Sequence, residues 1–293
     1  MRAAILSLFA LSCASATTHC VTIAGLGGEP DYEQRFTAWA QDLDKTFRAT
    51  PDTHVETFTG AKSTKPAIRA VFDSIAKQAK AEDALVVVMI GHGSFDGTDY
   101  KINIPGPDIS ASELAEMLNH IPAGRQLVVN ATSASGASTA MLLRPNRTVI
   151  SATKSGTEKN ATVFARYWIE ALRDAAADTD KNEVISALES FKYAQLKTKQ
   201  FYETNKRIAT EHPMIDGGDT LLASRFPLLR IGSIQKAAAD PAKRALLDKR
   251  EQLEGEIDRL KFQKAAMPTD EYKRQLQTLL LELARTQAEI DKE

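Results

Sequence analysis

The stretch from Asp83 to Ile90 contains Ala-Leu-Val-Val-Val-Met-Ile, an apolar run with no polar residue inside it. A strand with one wet face alternates apolar and polar side chains, whereas a strand covered on both faces does not need to. Seven apolar residues are too few to cross a bilayer. The run therefore predicts a central strand with helices packed on both sides of its sheet. Its surroundings agree. Cys20 to Ala24 is a short apolar run opening into Gly25-Leu26-Gly27-Gly28, and His54 to Phe58 alternates like a strand. Gln126 to Asn130 and Thr148 to Ala152 read as further buried strands. Between them, apolar residues recur at helical spacing in Pro30 to Arg48, Lys65 to Lys80, Ser110 to His120 and Asn160 to Arg173. Ser110 with Glu113 forms a capping-box pattern, and Asp99 to Ile104 reads as a small hairpin. Strands alternating with helices imply right-handed crossovers and a mainly parallel sheet in a three-layer α/β domain.

The first residues have a different pattern. Arg2 precedes the apolar stretch Ala3 to Leu11, and Ala14-Ser15-Ala16 has the small-residue form of a cleavage site. The expectation is a leader over 1–16 and a secreted or periplasmic protein. Cleavage after Ala16 removes Cys13 and leaves Cys20, so no intramolecular disulfide is expected. Cys20 reads as a buried core thiol. No later segment is long and apolar enough to be a membrane helix. The net charge of −1 gives no basic stripe for nucleic acid.

Beyond Asp240 the periodicity changes. Asp240-Pro241 is a helix start, and Leu246, Leu253, Ile257 and Leu260 follow near-heptad steps with Arg250 interrupting. Met267 to Asp270 breaks the helix, and Leu276, Leu279, Leu280, Leu283 and Ile290 resume the pattern. Residues 240–293 are expected to form an antiparallel helical hairpin whose default role is packing or self-association. The α/β domain is expected to span 17–233.

Ligands of a parallel α/β sheet bind beyond the carboxyl ends of its strands. The third strand ends in Gly91-His92-Gly93, and the fourth in Asn130-Ala131-Thr132-Ser133-Ala134-Ser135-Gly136. A strand ending in Gly-His-Gly, followed by one ending in a Ser-Gly turn, resembles the caspase and legumain clan of cysteine peptidases. The resemblance covers roughly Val21 to Ile215. It implies a caspase/legumain-like fold, peptide or protein substrates, and His92 in the place of the catalytic histidine. The nucleophilic cysteine is replaced. Aligning on Ser135-Gly136 puts Ser133 there, and aligning on Asn130-Ala131 puts Thr132 there. A hydroxyl is a far poorer nucleophile than a thiolate and needs an oriented base in direct contact. No serine between Asn130 and Ser138 has the Gly-x-Ser-x-Gly flanks of a nucleophile elbow. Val149 to Gly156 with Glu158 resembles the loop that borders the clan's cleft. The resemblance thus makes Gly91, Gly93, Asn130, Ser135, Gly136, Ser151, Thr153 and Glu158 cleft residues. Thr210 to Asp216, with His212, resembles a late segment of bacterial members and carries no assigned role. Three functions stay open: a hydroxyl-based peptidase, a pseudopeptidase that binds without cutting, and an assembly module working through the hairpin. None requires a cofactor.

Asp178, Asp180, Asn182, Val184, Ser186 and Glu189 stand at the ligand positions of an EF-hand loop, the Val184 position supplying a carbonyl. Glu183 occupies the turn position that favours glycine. The expectation is a calcium loop, set against an acidic loop that caps the following helix.

Overall fold

The computed structural model describes residues 16–216, 220–237 and 240–292. The leader reading falls on residues outside these, apart from Ala16. Five parallel strands make the centre of the molecule: β1 (Thr18–Ala24), β2 (Thr53–Phe58), β3 (Ala84–Ile90), β7 (Arg125–Asn130) and β8 (Arg147–Ser151). Between β3 and β7 in the chain, β4 (Gly93–Phe95), β5 (Tyr100–Ile102) and β6 (Ile109–Ser110) form a small antiparallel sheet. With the antiparallel edge strand β10 (Met214–Asp216), the main sheet has the order β10-β8-β7-β3-β1-β2. In register, Val88 of β3 sits between Thr22 of β1 and Val129 of β7.

The apolar run of β3 is central because every one of its residues is buried. Val86, Val88 and Ile90 face one layer, with Phe36, Ala40, Leu43 and Phe47 of α1 (Pro30–Arg48) and Phe164 and Trp168 of α5 (Phe164–Ala171). Leu85, Val87 and Met89 face the other, with Ile68 and Phe72 of α2 (Lys65–Gln78) and Leu114 and Leu118 of α3 (Ala111–Asn119). Each of the larger aliphatic and aromatic side chains among them contributes about 1.5–3 kcal/mol on burial. The first layer is extended by α6 (Ala187–Thr204) through Phe191 and Ala194. A short α4 (Thr139–Leu142) leads into β8. Cys20 is buried in the first layer, where lack of solvation pushes its thiol pKa far up.

Helix ends follow local chemistry where the sequence supplies it. Ser110 accepts from the Glu113 N–H, and Glu113 returns a bond to the Ser110 N–H, so the capping box forms. The start of α5 differs from the expectation of a helix from Asn160. It begins at Phe164, because the orphan N–H groups of Val163 and Phe164 are taken by Glu211, 48 and 47 residues away. Thr162 instead bonds the Ala131 carbonyl and holds the preceding chain in coil. Asp99 to Ile104, expected as a hairpin by itself, supplies a single strand, β5, which pairs antiparallel with β4 before it and β6 after it.

The remaining elements lie on the amino side of the sheet. β9 (Val184–Ser186) pairs antiparallel with β11 (Pro227–Arg230), which α7 (Thr220–Ser224) precedes and α8 (Gly232–Ala237) follows. Two long helices, α9 (Pro241–Phe262) and α10 (Thr269–Ile290), form the C-terminal hairpin. Asp240 caps α9 through the Ala242 N–H. Leu247, Leu253, Ile257 and Leu260 are its buried apolar residues; Leu246 is half-buried, so the stripe is shifted by one residue at its start. Arg250 does not merely interrupt the stripe. It is buried, and its guanidinium donates to the Asn182 carbonyl at 2.9 Å. Arg230 on β11 pairs with Glu251 at 2.9 Å and Asp248 at 2.5 Å, and Arg244 pairs with Asp52, which precedes β2. These contacts hold α9 beside the amino ends of the parallel strands.

Candidate functional site

The carboxyl ends of β1, β3, β7 and β8 converge at the opposite edge. Gly91, with φ +146, passes so close to Gly25 that a side chain would touch its backbone. His92 is thereby set beside the loop after β1. Its Nε2 donates to the Gly27 carbonyl at 3.1 Å, which requires the proton on Nε2. The ring meets Tyr32 and Phe36 of α1 in two edge-on contacts, with centroids 5.1 and 5.3 Å away. Glu33 of the same helix accepts from the Gly27 N–H at 2.8 Å and fixes that loop. His92 is thus half-buried, held by aromatic edges and a carbonyl.

The two hydroxyls expected to serve as nucleophile point into structural bonds. Gly93 donates its N–H to Ser133 Oγ at 3.1 Å, and Ser133 Oγ returns its proton to the Gly93 carbonyl at 3.2 Å. Thr132 lies between Tyr100 of β5, at 2.5 Å, and the Asn130 amide oxygen, at 2.8 Å. Donation from Tyr100 to Thr132 and from Thr132 to Asn130 gives every proton in this chain a place. Burial raises the Tyr100 hydroxyl to about 12, so it is neutral. Asn130 spends its amide N–H on Ser138 at 2.9 Å. His92 thus adjoins Gly93, which Ser133 grips, yet among the described residues its ring bonds neither Thr132 nor Ser133.

The rest of the turn is laced to the loop after β8. Ser135 Oγ accepts from the Thr153 N–H at 3.1 Å and meets the Thr153 hydroxyl at 3.2 Å. That hydroxyl accepts from the Gly136 N–H at 2.9 Å, and Ser151 donates to the Thr153 carbonyl at 2.9 Å. Ala134 takes a left-handed conformation, φ +56, while fully buried. Its N–H donates to the Glu158 carbonyl at 2.8 Å. A strained non-glycine residue costs of order 1–3 kcal/mol and persists where its surroundings impose it. From Asn130 to Ser138 the turn carries no charged residue.

Close to this turn stand charged residues to which sequence reasoning gave no catalytic role or no role at all. Glu158 accepts from the His212 ring Nδ1 at 2.5 Å, the His212 N–H at 3.1 Å and the Lys154 N–H at 2.9 Å. Its side chain is 11% exposed, whereas that of His212 is 47% exposed. Beside it, Glu211 is 2% exposed and accepts from Val163, Phe164 and the Tyr202 hydroxyl. Burial raises its pKa to about 7, against the pull of those donors. His212 lies 54 residues from Glu158 and Tyr100 lies 32 from Thr132, so spacing gave no sign of either pair. A buried amide at a strand end, Asn130, was the one signal that a polar partner had to come from elsewhere.

The acidic loop of 178–189 closes on itself at the other edge. Carboxylate oxygens of Asp178, Asp180 and Glu189 lie within 4.8 Å of one another. Asp178 accepts from the Asn182 and Glu183 N–H groups, and the Asn182 side chain accepts from the Val184 N–H. Glu189 forms a capping box with Ser186 and takes the Thr179 N–H on its other oxygen. Glu183 stands at φ +63, and its carboxylate accepts from the Ile234 N–H of α8. Asp180 is raised by burial and by Glu189. Glu189 stays below its usual range because its hydrogen bonds outweigh a burial effect of opposite sign.

Comparison with known proteins gives likeness of fold. No protein-family model matches the chain, and no curated protein matches it in sequence. The crystal structure of protein GSU0716 from Geobacter sulfurreducens superposes with a TM-score of 0.50 at 11% identity, over 74% of this chain and all of that one. Caspase-1 from Spodoptera frugiperda gives 0.49 at 13% identity, covering 69% of this chain and 86% of that chain. The Drosophila initiator caspase Dronc gives 0.43 at 10% identity, over 69% and 79% of the two chains. At such identities the likeness concerns the arrangement of helices and strands and leaves the chemistry of the strand ends to be argued from this chain.

Proposed function

We propose that this chain is a caspase-like protein that binds a peptide or protein segment at the carboxyl ends of its strands and does not cut it at the His92 position. One observation carries this reading: the Ser133 hydroxyl is closed in a reciprocal pair with the Gly93 backbone, while His92 gives its Nε2 proton to Gly27. A serine nucleophile needs its proton taken by an oriented imidazole, and here each group already has another partner. Binding is supported by the sequence resemblance to caspases and legumains and by an apolar side chain displayed near these ends. Leu26 follows β1 at 41% exposure. The test is fluorophosphonate labelling of the purified protein beside His92→Ala, Ser133→Ala and Thr132→Ala, with a peptide-library binding screen on the same samples. Peptide capture without labelling is the expected result. Labelling that disappears with His92 and one hydroxyl would make the chain a hydroxyl-based hydrolase instead.

Two further proposals accompany this reading. The protein works outside the cytoplasm, as the sequence of its first 16 residues suggests. Calcium occupies the 178–189 loop, which the convergence of Asp178, Asp180 and Glu189 favours. Mass spectrometry of the N-terminus from the native host tests the first. Calorimetric titration with calcium, with Asp180→Asn as control, tests the second, and absence of heat in the wild-type protein would refute it.

A further inference from the structure

The chain enters β1 beside a buried carboxylate. Asp83, the residue before β3, is 5% exposed. Its Oδ1 accepts from the Thr17 N–H at 2.8 Å, and its Oδ2 from the Lys80 N–H at 2.8 Å. Among the described residues no lysine or arginine pairs with it, and its one ionisable partner is the His19 ring, whose Nε2 lies 3.8 Å away. His19 is itself buried. Lack of solvation holds its pKa below the ordinary 6.5 against the pull of Asp83, so at pH 7 and above the ring is neutral. A buried carboxylate answered only by amides and a neutral imidazole lacks the cation that such a group ordinarily keeps beside it.

We propose that cleavage of the Ala16–Thr17 bond turns the Thr17 nitrogen into the counter-ion of Asp83, a partner that the precursor offers only as an amide. This rests on the reading of residues 1–16 as a leader. Hydrolysis by a leader peptidase adds water across the bond. Ala16 leaves with the new carboxylate, and the Thr17 nitrogen becomes an amine that takes up a proton below its ordinary pKa of about 8. Position favours the pair. The Thr17 carbonyl accepts from the Ala84 N–H, and the Thr18 N–H donates to the Asp52 carbonyl, both at 2.9 Å. Residue 17 is therefore fixed against β3, while Ala16 is exposed. Ala16, Thr17 and Thr18 also line a cavity, which gives the further N–H groups of an ammonium space. The charged side chains on its walls answer one another: Arg230 pairs with Asp248 and Glu251, and Arg244 with Asp52. Arg125 lies over the Phe226 ring. Lys80 and Glu82 are exposed, as is His54, whose ring meets that of His19. A hydrogen bond between two ions is stronger than one from an amide, so processing tightens the start of β1. The amine has a higher pKa in the folded chain than in the unfolded one. The gain is therefore complete below about pH 8 and is lost as pH rises through the raised folded value.

The experiment starts from protein exported by a host under its own leader. Mass spectrometry should give Thr17 as its first residue. Thermal unfolding is then followed from about pH 6 to about pH 10 for this chain, for the same chain acetylated selectively at its α-amine, and for the full precursor. The mature chain should melt about 5 °C above the other two at neutral pH, and the gap should close towards pH 10. Differences between forms cancel the groups common to all, Glu211 included. Asp83→Asn should erase the gap, whatever it costs each form. A first residue other than Thr17 would overturn the pairing, and an uncleaved exported chain would overturn the leader reading with it. Thr17 at the start with equal melting of the mature and acetylated chains would overturn the pairing alone.

Discussion

The two ends of the central sheet are built from different materials. At the amino end, charged side chains cross from one element to another: Arg230 to Asp248 and Glu251, Arg244 to Asp52, and Asp83 to the Thr17 N–H at 2.8 Å. At the carboxyl end, the turn after β7 is held by hydroxyls, amides and backbone groups in van der Waals proximity. Long ionic side chains hold separate elements together and tolerate small shifts. Short neutral bonds and glycines hold backbone against backbone and tolerate almost none. The end that resembles a peptidase site is thus the less deformable of the two.

The strongest way to break this contrast is Gly93→Ala. A Cβ there would stand 2.4 Å from the Ser133 carbonyl oxygen and 2.7 Å from both the Thr132 hydroxyl and the Tyr100 ring. Urea unfolding should show a loss of about 3 kcal/mol or more.

Glu211 gives the next largest effect, since it is a carboxylate buried more deeply than Glu158 beside it. Its folded pKa of about 7 lies above its ordinary 4.5, so the folded chain keeps a proton that the unfolded chain has released. Its contribution is complete below about pH 4.5 and is lost as pH rises towards 7, a fall on the order of 3 kcal/mol. Glu211→Gln should flatten this part of the stability–pH curve; an unaltered slope would place the titration elsewhere.

Arg230→Ala should cost less, about 1–2 kcal/mol, because Asp248 is already half-exposed with its partner in place. Hydrogen exchange should quicken in α9 and stay unchanged in β7. Ser133→Ala should cost the least, about 1 kcal/mol for its bonds to Gly93. It should leave peptide capture intact, whereas loss of capture would assign Ser133 to the binding surface.

The layers of the fold were legible because β3 and the α1, α2 and α3 stripes each carry their own periodicity. The Ser110–Glu113 box was legible for the same reason, with donor and acceptor three residues apart. Loops joined by distant partners were not. The start of α5 depends on Glu211, and the environment of His92 depends on Tyr32 and Phe36, which in sequence are only apolar positions of a helix. Gly-His-Gly does follow β3, but no spacing reports that Nε2 bonds the Gly27 carbonyl. The acidic loop was readable in two ways; Ser186 does cap the following helix, whereas Asp178 and Asp180 accept from N–H groups of the loop itself.

The seating of α9 at the amino ends has a consequence for how the molecule is handled. Strands of five to seven residues separate the hairpin from the turn after β7, roughly 20 Å of sheet. A bead, a dye or a carrier attached near the end of α10 would sit on the far side from Leu26 and His212. The chain could therefore be anchored by its tail and still present the opposite end to whatever passes in solution.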